Sequence, residues 1–281
     1  MNARNLDFIY PLNPRRHLRR ADDKLVCLEL LASRHIPVPR TLAVFAGHRD
    51  LPALDAVLDG GEGFAIKPAC GFGGKGIVIV RRSDGGGLVA LKARGEAAID
   101  AGAVREHILA ILAGVFSLER VDDRAFLEEL LEPEDVLGAF SYRGLPDVRI
   151  IVCRGTALMA MLRLPTRASR GRANLHQGAL GAGLDIASGR TTHAVLRGRP
   201  AERHPDLGVP VAGLQVPFWN EVLQLAVQSA AATELGFLGV DVVIDRRRGP
   251  LVMEVNARPG LTIQLANRRG LAGVLSRGGT A

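Results

Sequence analysis

Short apolar runs alternate with polar breaks along the whole chain, and their spacing assigns most of the elements. Leu25, Cys27, Leu28, Leu30 and Leu31 give one apolar side to a helix running from Asp22 or Asp23 to about Ser33, with an aspartate at its start. Pro37 and Pro39 close it off. Thr41–Ala46 reads as a strand and Asp50–Leu58 as a short helix. Phe64–Lys67 and Ile77–Val80 read as two strands around a glycine-rich turn, and Glu96–Ala113 carries apolar residues at helical spacing. In the second half, Phe126–Leu131 is a strand. Asp147–Cys153 and Thr156–Leu164 form a hairpin about Arg154-Gly155, and a polar loop follows from Pro165 to Gly178. Pro217–Leu235 is the strongest helical pattern. Val240–Ile244 and Leu251–Val255 pair across the turn Asp245–Pro250. So many hairpins among flanking helices predict an α+β fold with mostly antiparallel sheet. The pattern divides into a basic arm at residues 1–21, a first subdomain at 22–125 and a second at 126–281.

Composition fits an ordinary globular protein of this size, with 47% hydrophobic and 23% charged residues in 281. No stretch approaches the roughly 18 consecutive apolar residues of a membrane span, and the first residues lack the apolar core of a signal peptide. A cytoplasmic location is expected. Cys27, Cys70 and Cys153 are odd in number and far apart, so they indicate neither a disulfide framework nor a zinc site. The net charge of +7 is concentrated in Arg15, Arg16, Arg19 and Arg20, in Arg163, Arg167, Arg170 and Arg172, and in Arg246–Arg248. Nucleic-acid modules interleave such charge with stacking aromatics. Only 4% of residues are aromatic and none lies inside these clusters, which argues against nucleic acid as the principal substrate and for anionic small ligands.

Two segments carry chemistry. In Phe64-Ala65-Ile66-Lys67-Pro68-Ala69-Cys70-Gly71-Phe72-Gly73-Gly74-Lys75-Gly76 the glycines let backbone amides approach phosphate oxygens, and Lys67 and Lys75 bracket the loop with positive charge. Neither a Walker motif nor a dinucleotide fingerprint fits, since strand and not helix follows. The loop reads as a lid over phosphates. The second segment holds Asp241, then Glu254 thirteen residues later and Asn256 two beyond that. Alternation puts Glu254 and Asn256 on one face of a strand, and the hairpin can bring Asp241 beside them. Two carboxylates and an amide oxygen suit Mg²⁺. Acids so close in apolar surroundings call for a cation as partner.

The lysine–glycine loop followed far downstream by Asp…Glu-x-Asn-x-x-Pro-Gly resembles the ATP-grasp superfamily, over nearly the whole chain from about Asp22. The likeness is closest to RimK-type and alpha-L-glutamate ligase-related proteins, through Asp23-Lys24, Ile36-Pro37-Val38-Pro39 and Arg172-Ala173-Asn174-Leu175-His176-Gln177-Gly178. This resemblance implies two α+β subdomains with mostly antiparallel sheets clasping ATP, the N-terminal substrate domain being reduced to an arm. It implies that Lys24 and Lys67 hold the α- and β-phosphates, and that Gly71, Gly73, Gly74 and Lys75 cover the β- and γ-phosphates. Glu128, Glu129 and Leu131 fall in the hinge whose backbone reads adenine, and Glu132 or Glu134 would take the ribose. Arg172 and Asn174 would contact the γ-phosphate or acyl phosphate. Asp241, Glu254 and Asn256 would bind Mg²⁺, with Mn²⁺ able to stand in, and Arg258 would face the carboxylate or the transferred phosphoryl group. The implied activity is an ADP-forming carboxylate–amine ligase acting through an acyl phosphate, adding an amino acid such as glutamate. A phosphotransferase and a non-catalytic nucleotide-binding protein are the alternatives. Small-molecule or peptide carboxylates and amines are the expected substrates. With only 23 residues before Lys24, an acidic protein or peptide partner guided by the arginines of the arm is expected too, and the oligomeric state is left open. Gly239 occupies the position where some superfamily members place an arginine, so Arg163 or Arg172 would have to supply that charge.

Overall fold

The computed structural model describes residues 4–61, 63–71, 73–92, 95–117 and 122–275. The strands are β1 Thr41–Phe45, β2 Phe64–Pro68, β3 Val78–Arg82, β4 Leu88–Lys92, β5 Gly95–Ala98, β6 Ala125–Glu129, β7 Asp147–Cys153, β8 Thr156–Leu164, β9 Leu180–Leu184, β10 Thr191–Leu196, β11 Arg199–Ala201, β12 Phe237–Asp245 and β13 Gly249–Asn256. Among the described residues they form two sheets, β1-β6-β2-β3-β4-β5 and β11-β10-β9-β8-β7-β12-β13. Every strand pairing in them is antiparallel. The expected α+β class therefore holds. No helix among the described residues is long and apolar enough to cross a membrane.

Two compact units divide the chain. One is Asp23–Leu25 with Pro39–Leu131; the other is Met1–Asp22, Val26–Val38 and Glu132–Ala281. In the first, the helix Ala101–Leu112 starts where Asp100 accepts a hydrogen bond from Ala103 N at 2.7 Å. Val104, Ile108 and Ile111 recur at helical spacing and pack with Phe45, Phe64, Ile66 and Leu127. The helix expected from Glu96 thus begins later. Residues 96–98 are good helix formers, but strand pairing of β5 with β4 overrides that preference. β6 pairs with both β1 and β2, so residues 126–131 belong with the chain before them, not with the second half.

The other unit buries both faces of its sheet. Val148, Ile150 and Val152 face one way with the helix Trp219–Thr233. Ile151 and Cys153 face the other, with Ile263, Ala266 and Leu271. Two-sided burial explains why β9, with the sequence Leu-Gly-Ala-Gly-Leu, shows no alternation. The leading segment, expected as a basic arm, consists of short helical turns at Asn5–Ile9, Tyr10–Leu12, Arg15–His17 and Arg19–Asp22. It buries Ile9, Asn13, His17 and Ala21. Its arginines are partly spent within the fold: Arg20 meets Glu234 at 2.8 Å and the Thr233 carbonyl at 3.1 Å.

Candidate functional site

In the first unit, Lys67 on β2 forms an ion pair with Glu128 on the neighbouring β6. Glu128 is 2% exposed, and its second oxygen, Oε2, is buried with no hydrogen-bond partner. Glu129 points to the other neighbour, accepting from Arg40 N at 2.7 Å and Nε at 2.6 Å. Leu131 follows the end of β6 and is half-buried.

The glycine loop begins straight after β2. Gly73, Gly74 and Gly76 have φ of 63°, 75° and 76°, the left-handed region that side chains avoid. At Gly76 a Cβ would also press into the Phe116 ring at 2.7 Å. Lys75 is exposed at the tip. Lys24 donates from Nζ to the Gly71 carbonyl at 2.9 Å, and its backbone N–H donates to Ala69 O at 2.9 Å. Sequence reasoning missed the residues that anchor the loop. Asp123 accepts from Cys70 N at 3.1 Å, from Ser117 Oγ at 2.5 Å and from Arg124 N at 2.7 Å, while Ser117 bridges Gly71. At the far end His107 donates a ring N–H to the Gly76 carbonyl at 2.8 Å. Arg124 in turn holds the buried Asp23 at 2.7 Å. These anchors lie far away in sequence and belong to no motif; only the run Asp122-Asp123-Arg124 beside a strand hinted at them.

In the second unit, register brings the acidic residues together. Asp241 on β12 pairs directly with Glu254 on β13, and Gly239 with Asn256. Glu254 and Asn256 therefore share a sheet face with Asp241. A bulge falls between Asp241 and Val242. The cation that Asp241 was expected to need comes from the protein itself, which corrects that part of the reasoning. Arg149, opposite Asp241 on β7, donates from Nε and Nη2 at 2.7 and 2.6 Å. Arg163 on β8 donates to the same carboxylate at 2.7 Å and is paired with Asp147 on its other side. Burial raises the Asp241 carboxyl, but the charges of Arg149 and Arg163 outweigh it and hold the group below the usual carboxylate range. Asp147 has less help. Burial pushes it up to about 6, Arg163 notwithstanding.

Among the described residues no group of three His, Cys, Asp or Glu side chains could hold a metal ion; the Asp241, Glu254 and Asn256 set relies on an amide. That set fits a hard cation. An ionised carboxylate offers about four lone-pair sites, of which Asp241 uses three. Asn256 has a buried Nδ2 with no hydrogen-bond partner, and it is the other amide atom, the oxygen, that could serve a cation.

Other expected site residues are occupied locally. Arg172 donates to Gln177 at 3.1 Å, and Asn174 caps the turn Leu175–Gln177 by accepting from His176 N at 2.9 Å. Arg258 pairs with Asp22 at 3.0 Å. Of the two acids considered for ribose, Glu134 caps the turn Asp135–Gly138, and Glu132 lies 3.5 Å from both Arg246 and Arg247.

This combination of two antiparallel sheets, a glycine loop and an acid–amide hairpin defines the ATP-grasp fold, and comparison with known proteins bears that out. A sequence profile described as sugar-transfer associated ATP-grasp matches residues 3–278, and the chain belongs to that family. Among curated relatives, a probable alpha-L-glutamate ligase of Sodalis glossinidius is 29% identical over 252 residues, covering 90% of this chain and 62% of its own. The ribosomal protein bS6–L-glutamate ligase of Escherichia coli is 28% identical over 255 residues, covering 90% and 61%. The chain thus spans about three-fifths of the length of these relatives. Among solved structures, the D-cycloserine synthetase DcsG superposes with a TM-score of 0.53 at 19% identity, covering 90% of this chain and 68% of its own. The ATP-grasp ligase PsnB complexed with minimal precursor gives 0.51 at 17%, covering 95% and 61%. At such identities these two show the fold alone.

Proposed function

We propose that this protein uses Mg·ATP to join a carboxylate to an amine through an acyl phosphate, releasing ADP and phosphate. The observation that carries this reading is the shared face of Asp241, Glu254 and Asn256 in a chain of the ATP-grasp family. Glu254 and Asn256, with the remaining lone pair of Asp241, would hold Mg²⁺ (or Mn²⁺), which when bound neutralises charge on the phosphates. Lys24 and Lys67 would meet the inner phosphates, and the amides of the glycine loop would close over the outer ones and keep water away. Leu131 and the backbone of Glu128 and Glu129 would receive the adenine. Arg258 would face the carboxylate. Arg163 is already spent on two carboxylates, so Arg172, together with Asn174, is the better source of charge for the acyl phosphate where Gly239 supplies none.

The names of the curated relatives, glutamate ligases including one for a ribosomal protein, support amino-acid and peptide- or protein-borne substrates. The test is a phosphate-release screen of pooled carboxylates against pooled amines, with mass spectrometry of the products. A ligase needs both partners, releases phosphate and gains the mass of an amide. A phosphorylated product formed without an amine would replace this reading with phosphotransfer, and turnover of neither kind in any pool would leave nucleotide binding as its function.

A further inference from the structure

We infer that residues 4–22 are a positioning element of the metal-binding hairpin, through Arg4, Asn13 and Asp22; this rests on the function proposed above. β13 ends at Asn256, and beyond it the ladder supplies no partners for the backbone. Side chains of the leading segment take over for the carbonyls of Ala257 and Pro259, and a third holds the side chain of Arg258 between them. Asn13, 4% exposed, donates from Nδ2 to Ala257 O at 3.1 Å and to Phe237 O at 2.7 Å, and accepts from Phe237 N at 3.0 Å. One buried amide thereby ties the start of β12 to the exit of β13, one step past the Gly239–Asn256 pair. Asp22 grips the Arg258 side chain at 3.0 and 3.2 Å. Arg4 donates to Pro259 O at 2.6 Å.

The grips differ in kind, which makes a common packing origin a poor account of them. One is a buried amide, one a part-buried guanidinium and one an ion pair half open to solvent. The segment is seated independently of them, by Ile9 in the core with Phe237 and by Leu12 O accepting from Gly236 N at 2.9 Å. Their shared target is the turn that leaves Glu254 and Asn256. A metal ligand displaced by a fraction of an ångström binds poorly, because Mg²⁺ demands near-ideal geometry. The buried amide on β12 and β13 therefore sets the Asn256 position, and the Asp22–Arg258 pair aims the arginine that follows it.

The experiment measures Mn²⁺ binding in the presence of ADP, by the free Mn²⁺ signal in electron paramagnetic resonance, alongside thermal melting. Asn13→Ala should weaken Mn²⁺ binding about ten-fold, and Asp22→Ala and Arg4→Met about three-fold each, from the net worth of the hydrogen bonds lost. Because Asn13→Ala risks misfolding, the surface variant Asp22→Ala carries the test: its melting should stay within a few degrees of wild type. Tyr10→Ser, at an exposed position of the same segment, should bind Mn²⁺ as wild type does. Wild-type binding in both Asp22→Ala and Arg4→Met overturns the inference. Hydrogen exchange of residues 256–260 in the ligand-free protein separates it from the proposed function. Faster exchange in Asp22→Ala upholds the positioning role even if the wild type binds no Mn²⁺, an outcome that would sink the metal assignment instead; unchanged exchange rejects the role.

Discussion

Asp241 in the larger sheet and Glu128 in the smaller one are both buried acids on strands inside their sheets, each answered by a cation on the next strand. They differ in how completely they are answered. Both oxygens of Asp241 are taken by two arginines, one of which also serves Asp147, so the four charges close on themselves across β7, β8 and β12. Glu128 has one lysine on Oε1, and Oε2 is left as an acceptor without a donor. The guanidinium fork suits the first task, since it offers several fixed donors and does not lose its proton. A lysine is a point charge that can turn to another anion. The closed network commits all but one lone pair of Asp241 to the fold, while the open pair leaves Glu128 with a buried acceptor that has no donor.

The sharpest way to break this contrast is Arg163→Met. It leaves Asp147 and Asp241 buried with Arg149 alone, and should cost about 3–5 kcal/mol of folding stability, the usual penalty for stranding a buried charge. Urea unfolding measures it, and a loss below about 1 kcal/mol would show the network to be ornamental. The deficit should depend on pH. Asp147 already sits at about 6 when folded, above its ordinary value of 3.8, so the folded state binds the extra proton in that interval. Losing Arg163 raises it further. The variant should therefore recover stability as pH falls from 7 towards 5, and a deficit that grows over this interval contradicts the argument.

Glu128→Gln sharpens the other side. The amide keeps an acceptor for Lys67 but removes the charge that pairs with it, so folding should lose about 1.5–3 kcal/mol of stability. It also replaces the open acceptor by a donor. ATP affinity, measured calorimetrically, should fall about ten- to a hundred-fold, the range for a hydrogen bond to a charged group. Equal ATP affinity would mean that Oε2 faces no ligand. A smaller effect is expected from Asp123→Ala, which removes the base of the glycine loop but nothing that meets phosphate. The KM for ATP should rise about three- to ten-fold with kcat less affected, and amide exchange at residues 70–71 should quicken. A change in kcat alone would mean that the loop is positioned by other contacts.

The contrast also explains what could be read in advance. Asp241, Glu254 and Asn256 were legible because period-two alternation and a short turn leave little choice of register. Arg149 and Arg163 were not linked to Asp241, since their strands join it only through sheet topology, and no local pattern gives the order β8-β7-β12. The glycine loop was legible as a turn of left-handed glycines from its composition. Its anchors, Asp123 and His107, lie dozens of residues downstream and have no period to announce them. The leading segment read as a basic arm because the cluster Arg15, Arg16, Arg19 and Arg20 dominates it, whereas the residues it buries are Ile9, Asn13, His17 and Ala21. Strand β5 was lost to helix propensity, which pairing with β4 overrode.

The smallest expected effect concerns Cys70, in the open region of the comparison. All three cysteines are thiols, and Cys27 and Cys153 are 2% and 5% exposed, while Cys70 is half-buried at the entrance to the glycine loop. The thiolate is the reactive form, so access and charge decide the order of modification. Burial pushes the Cys153 thiol above its usual value, with Arg154 only partly opposing it. Lys67 and Lys75 flank Cys70 in sequence, and its backbone N–H is held by Asp123. A disulfide reagent followed by peptide mapping should therefore label Cys70 first. If the loop closes over phosphates as proposed, labelling puts a bulky group in its way and should block ATP turnover, and saturating Mg·ATP should slow labelling by about ten-fold or more. Cys70→Ser keeps the size and the backbone hydrogen bond, and should retain activity within about two-fold, the range of a surface substitution. An inactive serine variant that still binds ATP normally would assign the thiol a chemical role, for which the proposed mechanism has no place.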